Sequence, residues 1–267
     1  MAGTNYKNED NRSPFLDDVI LKDHFNLVIQ STFVIYLMHI FFIFVTRQLG
    51  WGKKWNKIPF HATNFVVNTF LSIAGMYVWF YVFVMEDSSD ESKATGYYSV
   101  AYFGCFQMGY SLWSTPIGII MGEKLEMLIH HISVIVTSAV TIMFTLGCRY
   151  HAVYFYGVME ISSIPLVIMN VCKDNAELKR RHAGLYSLVR TIFAVAFLIF
   201  RVVLLLPIWI KYVQLLWFYS EGYEGIALYS VRALFYPSFF LMILQLYWAY
   251  LILKALFKKG GSVEKKE

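Results

Sequence analysis

Charge is what this sequence has least of: Asp, Glu, Lys and Arg make up 15% of its residues, against 58% hydrophobic. Soluble domains carry about 25% charged residues, so the bulk of the chain is not built to face water. From residue 25 almost to the C-terminus no long polar stretch separates the apolar runs, which excludes a soluble domain between them. Cysteine is also scarce. Cys105, Cys148 and Cys172 are scattered without metal-ligand spacing and are too few, in this context, for a disulfide framework. The first 24 residues are polar and lack an apolar h-region, so no cleaved signal peptide is expected. Ala2 stands where myristoylation needs glycine, so targeting is expected from the first apolar run. No repeat of 20–50 residues is visible.

What the sequence has is apolar runs and aromatics, with 23 Phe, 19 Tyr and 7 Trp. Runs of about 20 apolar residues, enough to cross a hydrocarbon core of ~30 Å, predict about seven helices near 25–46, 60–85, 96–121, 124–147, 150–172, 185–210 and 226–257. The expected architecture is an all-α, multi-pass transmembrane bundle. A polar N-terminal segment (1–24) precedes the membrane domain (25–257), and a short polar tail (258–267) follows it. The fifth run is crowded with Glu160, Ser162, Ser163 and Pro165, so a re-entrant segment and a total of six spans is the alternative. Basic residues gather after the first run (Arg47, Lys53, Lys54, Lys57) and after the fifth (Lys173, Lys179, Arg180, Arg181), whereas "EDSSDES" after the second is acidic. The positive-inside rule then predicts a lumenal N-terminus and a cytosolic C-terminus. The net charge of +5 lies in these short juxtamembrane loops, which suits anionic lipid head groups and not nucleic acid.

Ionisable residues inside an apolar helix are costly and point to function by default. The stretch "EKLEMLIHHISVIV" (123–136) holds two adjacent histidines, His130 and His131. Residues three and four apart share a helix face, so Glu126, His130, Ser133, Thr137 and Thr141 form one polar stripe expected to face inward. Other runs carry His61, Asn64, Asn68 and Ser72; Gln107, Tyr110, Ser111 and Ser114; Glu160, Ser163 and Asn170; Arg190 and Arg201; and Arg232 and Gln245. At ~1.5 Å of rise per residue, His130 and Glu160 both fall roughly 10–15 Å from their helix ends and meet near mid-membrane. Any single Ser or Asn is more often interhelical glue than function. The adjacent histidines point about 100° apart, so two different neighbours must accommodate them. No second histidine stands three or four residues from either, so metal ligation is not expected. An imidazole suits general-base or nucleophilic chemistry near neutral pH. Glu126, one turn before His130, is the expected orienting carboxylate, and Ser133 and Thr137 are expected substrate contacts.

"EKLEMLIHHISVIV", then "MEISSIPLVIMN" (159–170) and "LYSLVRTIFAVAFLIFRVVLLLP" (185–207), resembles the TLC domain. That domain is shared by ceramide synthases, translocating-chain-associating membrane proteins and the TLC domain-containing proteins, and the resemblance covers about residues 57–258. It implies a lipid-sized cavity and a role in lipid homeostasis at the endoplasmic reticulum or connected membranes. In ceramide synthases the adjacent histidines belong to the motif for acyl transfer from acyl-CoA to a sphingoid base, and they map onto His130 and His131. The family's His-Asp-x-Ser-Asp motif is replaced here by Met159-Glu160-Ile161-Ser162-Ser163. This is closer to the Glu-Leu-Ser-x-Pro-like run of the TLC domain-containing branch, as is "LKRRHAGLY" (178–186) with Arg201 and Pro207.

Three readings stay open on this basis. The first is an acyl-CoA-dependent acyltransferase with His130, His131 and Glu160 as catalytic residues, and Glu126, Ser133, Thr137, Asn64, Asn68, Ser163 and Arg201 around the substrate. Acyl-CoA would be a co-substrate, and no bound cofactor or metal is expected. The second is a lipid-binding regulator of membrane composition that uses the same cavity without chemistry. The third is a chaperone or translocation-associated protein whose polar stripes contact client helices.

Overall fold

The computed structural model describes residues 13–51, 56–83, 89–96, 100–233 and 235–260. The loop residues Lys53 and Lys54, residues 86–88 of the acidic stretch and residues 261–267 of the tail lie outside the described residues. Among the described residues the regular elements are helical, with one isolated bridge between Phe15 and Phe144. The helices are α1 (Asp18–Gln48), α2 (Ile58–Met76), α3 (Asp90–Thr95), α4 (Tyr102–Met121), α5 (Leu125–Met143), α6 (Arg149–Tyr156) and α7 (Ser163–Asp174). They continue with α8 (Ala176–Arg181), α9 (Ala183–Leu198), α10 (Leu205–Ser220), α11 (Gly225–Ala233) and α12 (Phe235–Gly260). A 3-10 segment (Val158–Ser162) joins α6 to α7, and π-helical segments extend α2 (Tyr77–Phe83) and join α9 to α10 (Ile199–Val203).

Among the described residues five stretches are long and apolar enough to cross a bilayer: Asp18–Gln48, Leu125–Met143, Arg149–Asp174, Ala183–Ser220 and Gly225–Phe257. The other two expected spans correspond to α2 and α4, whose apolar character is diluted by buried polar residues. In α2 these are His61, Asn64, Asn68 and Ser72, and in α4 they are Gln107, Ser111 and Ser114. Packing explains the polarity. α2 contacts α4, α4 contacts α5, α5 contacts α12, α12 contacts α9, α9 contacts α7, and α7 returns to α2. Six helical passes thus close a ring, and polar side chains of α2 and α4 face its interior instead of lipid. α1 packs on the outside against α2 and α4.

Contacts at the two ends establish alternation. At one end Leu16 N donates to Met143 O (2.9 Å), Thr145 N to Pro14 O (3.0 Å) and Cys148 N to Ala94 O (3.0 Å). Lys211 Nζ meets Asp90 there at 2.9 Å. At the opposite end His61 Nε2 lies 2.8 Å from Asp174 Oδ2, with Lys57 Nζ 3.9 Å from the same carboxylate. Arg149 and Asp174 therefore stand at opposite ends, so the fifth segment crosses and is not re-entrant. The basic loops after the first and fifth passes share one end, as the charge pattern predicts.

A close backbone crossing holds the fifth pass against α2. A Cβ built on Gly75 would lie 2.5 Å from Gly157 Cα and 2.7 Å from Val158 N. Only glycine fits at such a contact, which is the small-residue packing typical of membrane helices. Gly75→Ala is expected to lower stability by about 1–3 kcal/mol through overpacking, read as a fall in melting temperature in detergent. Gly184→Ala, where the new Cβ meets nothing within 4 Å, serves as the control. Equal melting temperatures for the two variants would show that the backbones do not meet.

Candidate functional site

Two helical irregularities face each other at the centre of the ring. In the 3-10 segment residues three apart eclipse, which stacks Glu160 beside Ser163. Opposite, the π turn carries Arg201 inward at 7% exposure. Arg201 Nε donates to Ser162 Oγ (2.7 Å), and its Nη2 donates to Ser163 Oγ (2.9 Å) and Glu160 Oε2 (3.3 Å). Ser163 Oγ also donates to Glu160 Oε2. Tyr154 Oη donates to Phe200 O in the π turn at 2.8 Å. The arginine thus pairs with a carboxylate inside the bundle.

The two histidines have different surroundings. His131 is buried; its Nδ1 lies 3.3 Å from Ser114 Oγ and its Nε2 3.6 Å from Glu123 Oε2. Its ring stands edge-on to Tyr110, whose hydroxyl donates to Asn64 Oδ1 at 2.8 Å. His130 packs edge-on to Trp248, and its Nδ1 is buried without a hydrogen-bond partner. The two imidazole centroids are 5.7 Å apart.

Both rings line a cavity of about 350 Å³ that runs from His61 and Lys173, at the basic end, to Glu160 and Arg201. That volume lies in the range of small-molecule sites. A second space, an inner lobe of about 80 Å³, adjoins it toward the other end, walled by apolar side chains such as Phe155, Leu205, Trp209 and Met242. Gln107, His130, Glu160 and Arg201 line both spaces and form the waist between them.

Of the residues singled out from sequence, His130, His131, Glu160, Asn64, Asn68, Ser163 and Arg201 all line the main cavity, and Thr137 lines the inner lobe. Two do not. Glu126 is exposed, and Ser133 Oγ donates to Ile129 O of its own helix at 2.9 Å. At about 100° per residue they lie roughly 40° and 60° from His130, on the side away from Val134, while α4 and α12 turn the Val134 side of α5 inward. Glu126 therefore does not orient His130. The carboxylate beside an imidazole is Glu123, next to His131, and Glu160 is engaged by Arg201 instead. Glu123 precedes α5, so helical periodicity does not reach it. Gly122, at φ +71°, ends α4 and turns the chain so that Glu123 Oε2 rests against the bare face of Gly118.

Gln107 and Gln245, noted in the sequence as polar residues of their runs but not as substrate contacts, also reach the site. Both line the inner lobe with their Oε1 atoms buried and unpartnered. Among the described residues no group of three or more His, Cys, Asp or Glu side chains converges as a metal site would.

A family model described as the TLC domain matches residues 21–254. Comparison with curated proteins and with solved structures yields no match.

The waist makes a stability prediction. Removing one partner of a buried ion pair leaves an uncompensated charge and costs about 3–5 kcal/mol. Arg201→Leu should therefore lower the melting temperature sharply, and Arg201→Leu combined with Glu160→Leu should recover much of the loss. A wild-type melting temperature for Arg201→Leu would show that the guanidinium reaches water instead.

Proposed function

This chain belongs to the TLC-domain family, multi-pass membrane proteins related to lipid metabolism, and we propose that it holds the polar part of a membrane lipid in the waist and acylates it. The observation that carries this reading is His130 Nδ1, a buried imidazole nitrogen with no protein partner at the junction of two cavity spaces. A lipid amine or hydroxyl placed there gives its proton to His130 as it attacks the thioester carbonyl of an acyl-CoA. The C–S bond breaks, the coenzyme A thiolate takes the proton from the imidazolium, and an amide or ester remains. His131, held between Ser114 and Glu123, positions the helix turn that presents His130.

The mouth of the cavity suits such a donor. Lys173 lines it, and Lys124, Lys179 and Arg190 lie near enough to interact with Lys173 electrostatically. This cluster favours phosphate groups, whether of coenzyme A or of an anionic head group. With these loops on the cytosolic side, acyl-CoA would enter from the cytosol, in the endoplasmic reticulum or a connected membrane.

A second reading, lipid binding without turnover, is favoured by Glu160. Its carboxylate is engaged by Arg201 and Ser163, which leaves no free acid at the waist to assist an imidazole. A client-helix chaperone does not match this arrangement, because the clustered polar groups line the interior cavity and the outer faces of α1 and α12 are largely apolar.

Mass spectrometry of lipid retained by the purified protein, followed by acyl-CoA turnover in nanodiscs, separates these readings. His130→Ala should cut turnover by about 10²–10⁴-fold, the usual contribution of a general base, and leave the melting temperature close to wild type because no protein hydrogen bond is lost. Full turnover in His130→Ala would overturn the catalytic role. Retained lipid with no turnover in the wild type would establish the second reading.

A further inference from the structure

Three carboxamides from three helices line the cavity with the same deficiency. Asn68 on α2, Gln107 on α4 and Gln245 on α12 are 3%, 4% and 2% exposed, and Oδ1 of the first and Oε1 of the others lack any donor. Asn68 faces the main cavity, Gln107 both spaces and Gln245 the inner lobe. A buried carbonyl oxygen without a donor costs free energy comparable to a lost hydrogen bond, and three around two adjoining spaces, with the unpaired Trp209 Nε1 on the inner one, call for a ligand that brings donors as well as an acceptor. The charged groups nearby do not supply them, since the Arg201 hydrogen bonds go to Ser162, Ser163 and Glu160.

We propose that Asn68, Gln107 and Gln245 are specificity residues selecting a lipid whose head carries two or more O–H or N–H donors, such as a diol or an amino alcohol. The assignment rests on the cavity being the lipid site proposed above. A hydroxyl both donates and accepts, so it pairs with either end of a carboxamide. Ester and ether oxygens only accept, and in this space they leave all three carbonyls unsatisfied. Sites built to hydrogen-bond a substrate hydroxyl or amine reject analogues lacking it strongly, because their own polar groups are left unpaired. Diacyl lipids whose heads offer only acceptors are therefore disfavoured at the waist. Selection of this kind would also deliver a nucleophilic O–H or N–H to His130, which lines the same waist as Gln107.

The test is direct binding to the full-length protein in nanodiscs, using a long-chain 1,2-diol, the amino alcohol of equal chain length and the dimethyl ether of the diol. The diol, the amino alcohol or both should bind at least about tenfold more tightly than the ether, as expected for one or more hydrogen bonds left unmade. The two donor-bearing lipids tell hydroxyl from amine selection. Gln107→Leu and Gln245→Leu, which remove the unpaired oxygen while keeping an apolar side chain, should each narrow that preference by roughly tenfold without lowering the melting temperature. Equal affinity of the wild type for all three lipids would overturn the selection while leaving the cavity as a lipid site. Failure of all three to bind would overturn both. A lower melting temperature with unchanged preference would show the glutamines to be helix contacts.

Discussion

A guanidinium that cannot lose its proton, placed in the middle of an apolar bundle, is the constraint around which the rest of this structure is arranged. Arg201 requires a carboxylate and several acceptors within reach, because a lone charge in low dielectric is far costlier than a paired one. Glu160, Ser162 and Ser163 meet that requirement only because the fifth pass winds as a 3-10 segment there and the sixth as a π turn. The two irregularities share one depth, and π turns inside helices frequently mark functional sites. The close Gly75–Gly157 crossing, immediately before the 3-10 segment, keeps the fifth pass tight against α2 while its backbone changes winding.

The ring of six passes follows from the same demand for enclosure. Polar side chains of α2, α4, α5 and α7 would be costly against lipid, and closing the ring turns them onto a shared cavity. Most find partners there, as Tyr110 does with Asn64 and His131 with Ser114. His130, Asn68, Gln107 and Gln245 retain atoms that do not. Satisfied and unsatisfied groups therefore separate two jobs within one space: the first hold helices together, and the second wait on a ligand. The contrast between the two histidines is the clearest case, since neighbours in sequence differ by about 100° in direction, and only one of them meets a carboxylate.

Much of this was legible in the amino-acid order. Apolar run length marked five of the passes outright and α2 and α4 less sharply, their runs being diluted by buried polar residues, and the charge of the short loops marked the alternation. The family was legible as well, in the spacing of "EKLEMLIHHISVIV" and "MEISSIPLVIMN". A polar residue within an apolar run announced itself as inward-facing through the cost of exposing it to lipid, which correctly picked out Arg201, Glu160, Asn64 and Asn68.

What sequence could not decide was which way a helix turns when its polar stripe is wider than the cavity it faces. Glu126 and Ser133 satisfy the period of α5 as well as Thr137 does, yet the packing of α4 and α12 leaves them outside. Glu123 was invisible to periodicity because it lies in a turn, and the bond network of Arg201 was invisible because 3-10 and π windings break the 3.6-residue repeat of an α-helix. Run length and loop charge are properties of single segments in a bilayer, so the sequence by itself determined them. Helix rotation, the pairing of each polar group and the lining of the cavity depend on which surfaces meet, and only the tertiary structure decided them.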